Sequence, residues 1–190
     1  MSRLSDDADG LPPLHNHIFK RGDRFQDAAG LNRNWPAGRG VFASAARTFF
    51  SWINEEDHLR FISIQRGADI AAVFTRLCAA MAVVGRRLTF QHSGEYGYLS
   101  SCPTNLGTGL RVSFHIRLPR SGRSPEFYAI CAQYHLAVRG TAGEHSAVSD
   151  DIYDISNKRR LGPSEVQCLQ ECLEGAVKLI DLEKSLARAS

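Results

Sequence analysis

The stretch Leu110-Arg111-Val112-Ser113-Phe114-His115-Ile116-Arg117-Leu118 decides the fold. Leu110, Val112, Phe114, Ile116 and Leu118 alternate with Arg111, Ser113, His115 and Arg117, the clearest period of two in the chain. Successive side chains of a strand point to opposite faces, so one face is core and the other presents two arginines and a histidine. Upstream lies Ser101-Cys102-Pro103-Thr104-Asn105-Leu106-Gly107-Thr108-Gly109, a thiol before a proline followed by a glycine-rich turn. Glycines let backbone N–H groups approach a ligand without an intervening Cβ. Arg111 adds a planar cation suited to phosphate oxygens. Together these residues predict an anionic ligand held near a thiol.

Working outward, further strands are predicted at Thr48 to Asn54, Leu59 to Gln65, Tyr96 to Ser101, His135 to Arg139 and Ile152 to Asn157. The acidic link Glu55-Glu56-Asp57 is short enough to join the first two as a hairpin. Asp69 caps a predicted helix to Arg87, whose Ile70, Val73, Phe74, Leu77, Ala80, Met81 and Val84 recur at three and four and should pack on a sheet. Ser124 to Tyr134 is a helix with Pro125 in its first turn. A last helix starts at Gly162-Pro163-Ser164-Glu165 and runs to about Ala187, with an apolar stripe of Val166, Leu169, Cys172, Leu173, Ala176, Val177 and Ile180. From His15 to Gly40 the chain is irregular, with at most one short helix around Arg24 to Ala29. Residues 1–13 read as a disordered leader and 14–190 as one domain. The expected class is α+β, a mainly antiparallel sheet flanked by helices.

Composition narrows the function classes. The 190 residues carry a net charge of +3, too little for a nucleic-acid or membrane partner given only short basic runs at Arg86-Arg87 and Lys158-Arg159-Arg160. No apolar run approaches the ~20 residues that span a bilayer. Five cysteines without framework spacing, after a polar N-terminus, imply a reducing, cytoplasmic setting. His15 and His17 lack further metal ligands at useful spacing, so no metal site is expected. There is no Walker A, dinucleotide GxGxxG, HRD or DFG pattern. If phosphates bind, arginines hold them.

Taken singly, Arg60, Arg111, Arg139 and Arg160 fit either solvated surface charges or a shared phosphate cradle. Glu55, Glu56 and Asp57 fit either a solvated turn or carboxylates aimed at a cation. Glu144, in the glycine-flanked loop Gly140 to His145, fits a second carboxylate on a lid. Cys102 fits either a small buried hydrophobe or a thiolate favoured by nearby amides and arginines, whereas Cys168 and Cys172 read as core.

Four motifs carry a resemblance to a known family: NEEDHLR (Asn54 to Arg60), CPTNLGTGLR (Cys102 to Arg111), VRGTAGEHS (Val138 to Ser146) and YDISNKRRLG (Tyr153 to Gly162). With FKRGDRF (Phe19 to Phe25) and WPAGRGVF (Trp35 to Phe42), the chain resembles the phosphagen (ATP:guanido) kinases over nearly all of its length from Phe19. The Glu144-His145 pair resembles the arginine kinases more than the creatine kinases. The resemblance implies a guanidino-kinase catalytic-domain fold and reversible phosphoryl transfer between Mg-ATP, with Mg2+ entering alongside ATP or ADP, and a guanidino substrate, most readily arginine. It assigns Glu56 and Glu144 to the substrate guanidinium and Cys102 to the reacting nitrogen. Arg60, Arg111, Arg139 and Arg160 then hold phosphates, with His115 near the adenine and Asp154 in the nucleotide loop. Family members are longer, with a small helical domain and an upstream strand bearing further arginines, so the expectation is a C-terminal catalytic portion. The alternative expectation is a non-catalytic fragment that binds nucleotide or a partner.

Overall fold

The computed structural model describes residues 19–140, 148 and 150–189. The leader, His15, His17 and Glu144 lie outside the described residues. Every paired strand is antiparallel and helices flank the sheets, the α+β class read from the sequence. The chain divides into two compact units, Met1–Gln91 with Ser100–Pro103, and His92–Leu99 with Thr104–Ser190.

Unit 1 opens with the short helix α1 (Arg24–Ala28), closed by a capping box in which Asp23 and Gln26 satisfy each other's backbone amides. Strands β1 (Gly40–Ala43), β2 (Phe49–Ile53) and β3 (Leu59–Ser63) form a three-stranded sheet in that order. The hairpin expected at Glu55-Glu56-Asp57 joins β2 to β3, with Ile53 opposite Leu59. β1 gives no sequence signal because Gly40-Val41-Phe42-Ala43 is short and starts at glycine. Helix α2 (Ile70–Gly85) begins at Asp69, whose carboxylate accepts the Ala72 amide at 2.9 Å. It lies against β3, where Ser63 donates to the Val73 carbonyl at 2.8 Å and receives Arg76 Nη1 at 3.0 Å. None of its residues is buried.

Unit 2 holds the hairpin of β4 (His92–Ser93) and β5 (Gly97–Tyr98), and a second sheet. β5 is shorter than the predicted Tyr96 to Ser101. Gly97 has φ +66°, and the Tyr98 amide turns to the Gly107 carbonyl at 2.8 Å, so pairing leaves the hairpin there. The second sheet has β8 (Ile152–Asn157) between β6 (Ser113–Arg117) and β7 (Leu136–Arg139). β6 starts later than the alternation predicted. Asn157 replaces the missing strand pairing with its side chain, taking the Val112 amide at 2.8 Å and donating to the Leu110 carbonyl at 3.0 Å. Helix α3 (Pro125–Gln133) has Pro125 in its first turn as expected.

Helix α4 (Glu165–Ala189) buries Cys168, Cys172, Gly175, Ala176 and Leu179. The predicted stripe is therefore rotated: Cys172 and Ala176 are buried, but Val166, Leu173 and Val177 are exposed. Gly175 lies on the buried face, where an added Cβ would come 2.6 Å from Leu136 Cδ1 and 3.0 Å from Tyr134 Cβ, so a larger residue would force these side chains to shift. The core of unit 2 gathers Leu118, Phe127, Leu136, Ile155 and Leu179 under this helix face, with the Phe127 and Tyr153 rings 5.2 Å apart.

Candidate active site

In unit 1 the candidate residues collect at the β2–β3 turn. Asn54 takes a left-handed φ of +54°, and its side chain donates to the Gly38 carbonyl at 2.7 Å, turning the chain sharply after β2. Gln26 donates to the Glu55 carbonyl at 3.0 Å and holds the turn from the other side. Arg60, opposite Trp52 on the sheet, places its guanidinium 5.4 Å over the indole ring. From there Nη2 reaches Glu56 Oε2 at 2.5 Å and Glu55 Oε2 at 3.2 Å. Two carboxylates thus converge on one guanidinium through a single nitrogen, a charge-assisted contact. Burial, its largest influence, raises the Glu55 carboxyl above its ordinary range, with Arg60 and the Glu56 amide pulling the other way.

The thiol stretch is anchored to the same turn: the Ser101 amide donates to Asp57 Oδ1 at 2.6 Å, and Ser100 donates to the Cys102 carbonyl at 2.9 Å. Cys102 is half-buried within unit 1, and none of the five cysteines is in a disulfide. Unit 1 therefore brings together Glu56, Arg60 and the chain around Cys102. Sequence reasoning passed over Asp57 as an anchor and treated Glu55 as one of a crowd, although an acid at each position of a tight turn is itself a signal of directed charge.

Unit 2 places His115, Arg139 and Asp154 on one sheet face, with Arg111 beside them. Asp154, at the middle of β8, is opposite His115 of β6 on one side and Arg139 of β7 on the other. Directly opposed residues share a face, so the three form a row across the sheet. The next row, Phe114, Ile155 and Val138, points the other way into the core. Arg111 joins the polar row through Nη2, 2.6 Å from Asp154 Oδ2, and His115 Nε2 is 3.8 Å from Oδ1. Asp154 is thus on a central strand rather than in a loop, and it is 7% exposed. The strand predicted over Ile152 to Asn157 already contains it, and the loop placement came only from the family resemblance.

Arg160 is tied to the glycine-rich turn. Its Nη1 donates to the Thr104 carbonyl at 2.8 Å, and its own carbonyl accepts the Thr108 amide at 2.9 Å. Gly107, at φ +99°, makes this possible, since a Cβ there would lie 2.1 Å from the Arg160 carbonyl oxygen. Among the described residues no three His, Cys, Asp or Glu side chains gather into a metal-binding group, and no helix is long and apolar enough to cross a membrane.

The chain is 50% identical to an arginine kinase of Anthopleura japonica over 184 residues, 95% of this chain and 26% of that one. It is 46% identical to arginine kinase 1 of Drosophila melanogaster over 170 residues, 89% of this chain and 48% of that one. It therefore spans about half or less of the length of these relatives. Among solved structures, lombricine kinase superposes with a TM-score of 0.82 at 38% identity, over 93% of this chain and 50% of that one. The duplicated taurocyamine kinase of Schistosoma mansoni, with bound transition state analog components, gives 0.77 at 46% identity, over 84% of this chain and 22% of that one. The family described as ATP:guanido phosphotransferase, C-terminal catalytic domain, matches residues 12–186, and the chain belongs to it.

Proposed function

We propose that this chain carries the nucleotide and guanidinium residues of a guanidino kinase, which moves the γ-phosphoryl group of Mg-ATP reversibly to a guanidino nitrogen, arginine being the favoured substrate. The observation that carries the reading is the β2–β3 turn, where Glu55 and Glu56 close on a guanidinium, that of Arg60. Two carboxylates so spaced fit the same group on a substrate. In this reading Glu56 aligns the substrate guanidinium, as does Glu144 by motif, and Cys102 lies beside the reacting nitrogen. Arg60, Arg111, Arg139 and Arg160 neutralise phosphate charge, and His115 lies near the adenine. Arg60 then exchanges its carboxylate partners for phosphate as the substrate guanidinium arrives.

Phosphoryl transfer needs positioning and charge neutralisation more than covalent chemistry. The divalent ion enters with the nucleotide as part of the substrate and neutralises phosphate charge. As the nitrogen–phosphorus bond forms, the bond from the γ-phosphorus to the bridging oxygen breaks and ADP leaves, and the proton displaced from the accepting nitrogen passes to solvent. Cysteines outside disulfides fit a cytoplasmic setting for such a reaction. A second reading, nucleotide binding without turnover, rests on the polar face of unit 2 alone, where Arg111 and His115 meet Asp154.

A coupled assay with arginine and Mg-ATP tests the choice. Turnover is expected, and Glu56→Gln should lower it by roughly 10²-fold or more, as expected when a charge-stabilising partner is removed. Mg-ADP binding without turnover would favour the second reading. A folded chain that binds no Mg-ADP in calorimetry would defeat both.

A further inference from the structure

We propose that Asp154 is a positioning residue, which sets the direction of the Arg111 guanidinium and acts on nucleotide only through it. This rests on the nucleotide reading of the unit 2 sheet face. Asp154 is held on the central strand, hydrogen-bonded on both sides by β6 and β7, and lies in a run of five buried residues, Tyr153 to Asn157. Its side chain is only 10% exposed, leaving little surface for a ligand, whereas that of Arg111 is 33% exposed. The two are 43 residues apart in the chain and 2.6 Å apart in space.

Electrostatics alone gives no reason for a carboxylate here. A negative charge against Arg111 cancels part of the field that phosphates would feel. Orientation does give a reason. A guanidinium binds phosphate through a planar fork, and a long side chain at the start of a strand has many rotamers unless something fixes it. Arg111 Nη1 also contacts Ser113 at 3.3 Å, so the fork is held at two points. The other carboxylate oxygen, Oδ1, is buried and accepts no hydrogen bond among the described residues, His115 Nε2 standing off at 3.8 Å. A polar atom left in that state is costly and argues against Asp154 serving stability alone.

The two accounts differ in sign. If Asp154 matters only by charge, Asp154→Asn should bind Mg-ADP more tightly. If it positions Arg111, Asp154→Asn should bind about tenfold more weakly, within the coupling range for partners in one ion-pair network. The Arg111→Ala/Asp154→Asn double variant should then be no weaker than Arg111→Ala alone. Equal or tighter binding by Asp154→Asn overturns the proposal, as does a further loss in the double variant, which would mean direct contact with nucleotide. A measurement on the unmutated chain guards against misfolding of the variant. In 15N-arginine NMR the Arg111 Nη groups should rotate slowly without nucleotide, and fast rotation overturns the positioning claim. Absence of Mg-ADP binding by the unmutated chain would instead overturn the nucleotide reading and leave the NMR result to decide the position of Arg111.

Discussion

The two units solve the problem of holding charged side chains in different ways. Unit 2 builds its polar row on a sheet backed by a core, with Phe127, Ile155, Cys168, Cys172 and Leu179 wholly buried. Unit 1 has Leu31 as its one buried apolar residue among those described, and its strands are half-buried almost throughout. Its turn is held by polar bonds instead: Asn54 to Gly38, Gln26 to Glu55 and Ser101 to Asp57. Rigidity from packing is shared by many atoms, whereas rigidity from a few hydrogen bonds is local and depends on each one. The polar sheet face of unit 2 is therefore expected to be the stiffer half and the β2–β3 turn of unit 1 the softer one.

The largest effect that can break this comparison is a pair of truncations. Leu179→Ala in unit 2 should cost about 3 kcal/mol or more in urea unfolding, and Leu77→Ala on α2 about 1 kcal/mol, because only the first leaves a cavity in a closed core. Equal costs would mean that α2 is covered in solution.

A more gradual effect is set by pH. Burial pushes the thiol of Cys131 up to about 11 and that of Cys172 up to about 12, from 9.0. A group whose folded value is raised lends stability that is complete below its unfolded value and is lost as pH climbs to the folded one. Unit 2 should accordingly weaken between pH 9 and 12, by up to about 1.4 kcal/mol per pH unit for each buried thiol. Alkaline unfolding of the Cys131→Ala variant should show a flatter profile; an unchanged slope would remove the thiols as its cause.

The smallest expected effect is Glu55→Gln in unit 1. Its carboxyl is raised above 4.5, so its contribution is favourable in acid and unfavourable once pH passes the folded value. At neutral pH the amide should raise the stability slightly, by under about 1 kcal/mol and with it the melting midpoint, and near pH 4 it should make no difference. A lowered midpoint at pH 7 would show that the Arg60 pair outweighs burial.

Much of this architecture was legible from local pattern. The α2 cap at Asp69, the Pro125 start of α3 and the β2–β3 hairpin all depend on residues a few positions apart, and each appears where it was expected; the alternation of β6 holds within its shorter span. The ends of β5 and β6 were not legible, because Gly107 and Asn157 determine them from elsewhere in the chain. The candidate site divides in the same way. Its residues were found by motif, but their partners were not: Arg60 rests on the acids of its own turn, and Asp154 lies under Arg111.

By itself, then, the sequence determined the α+β class, the helix spans, the family and the residues that bear charge, since periodicity, capping and motif are properties of neighbours along the chain. Only the tertiary structure decided which face of α4 is buried, and that the row His115, Asp154 and Arg139 crosses one sheet. Those outcomes depend on surfaces that meet only after folding. Gly175 admits Leu136, and a carboxylate on β8 finds a guanidinium 43 residues away, through contacts that no local pattern encodes.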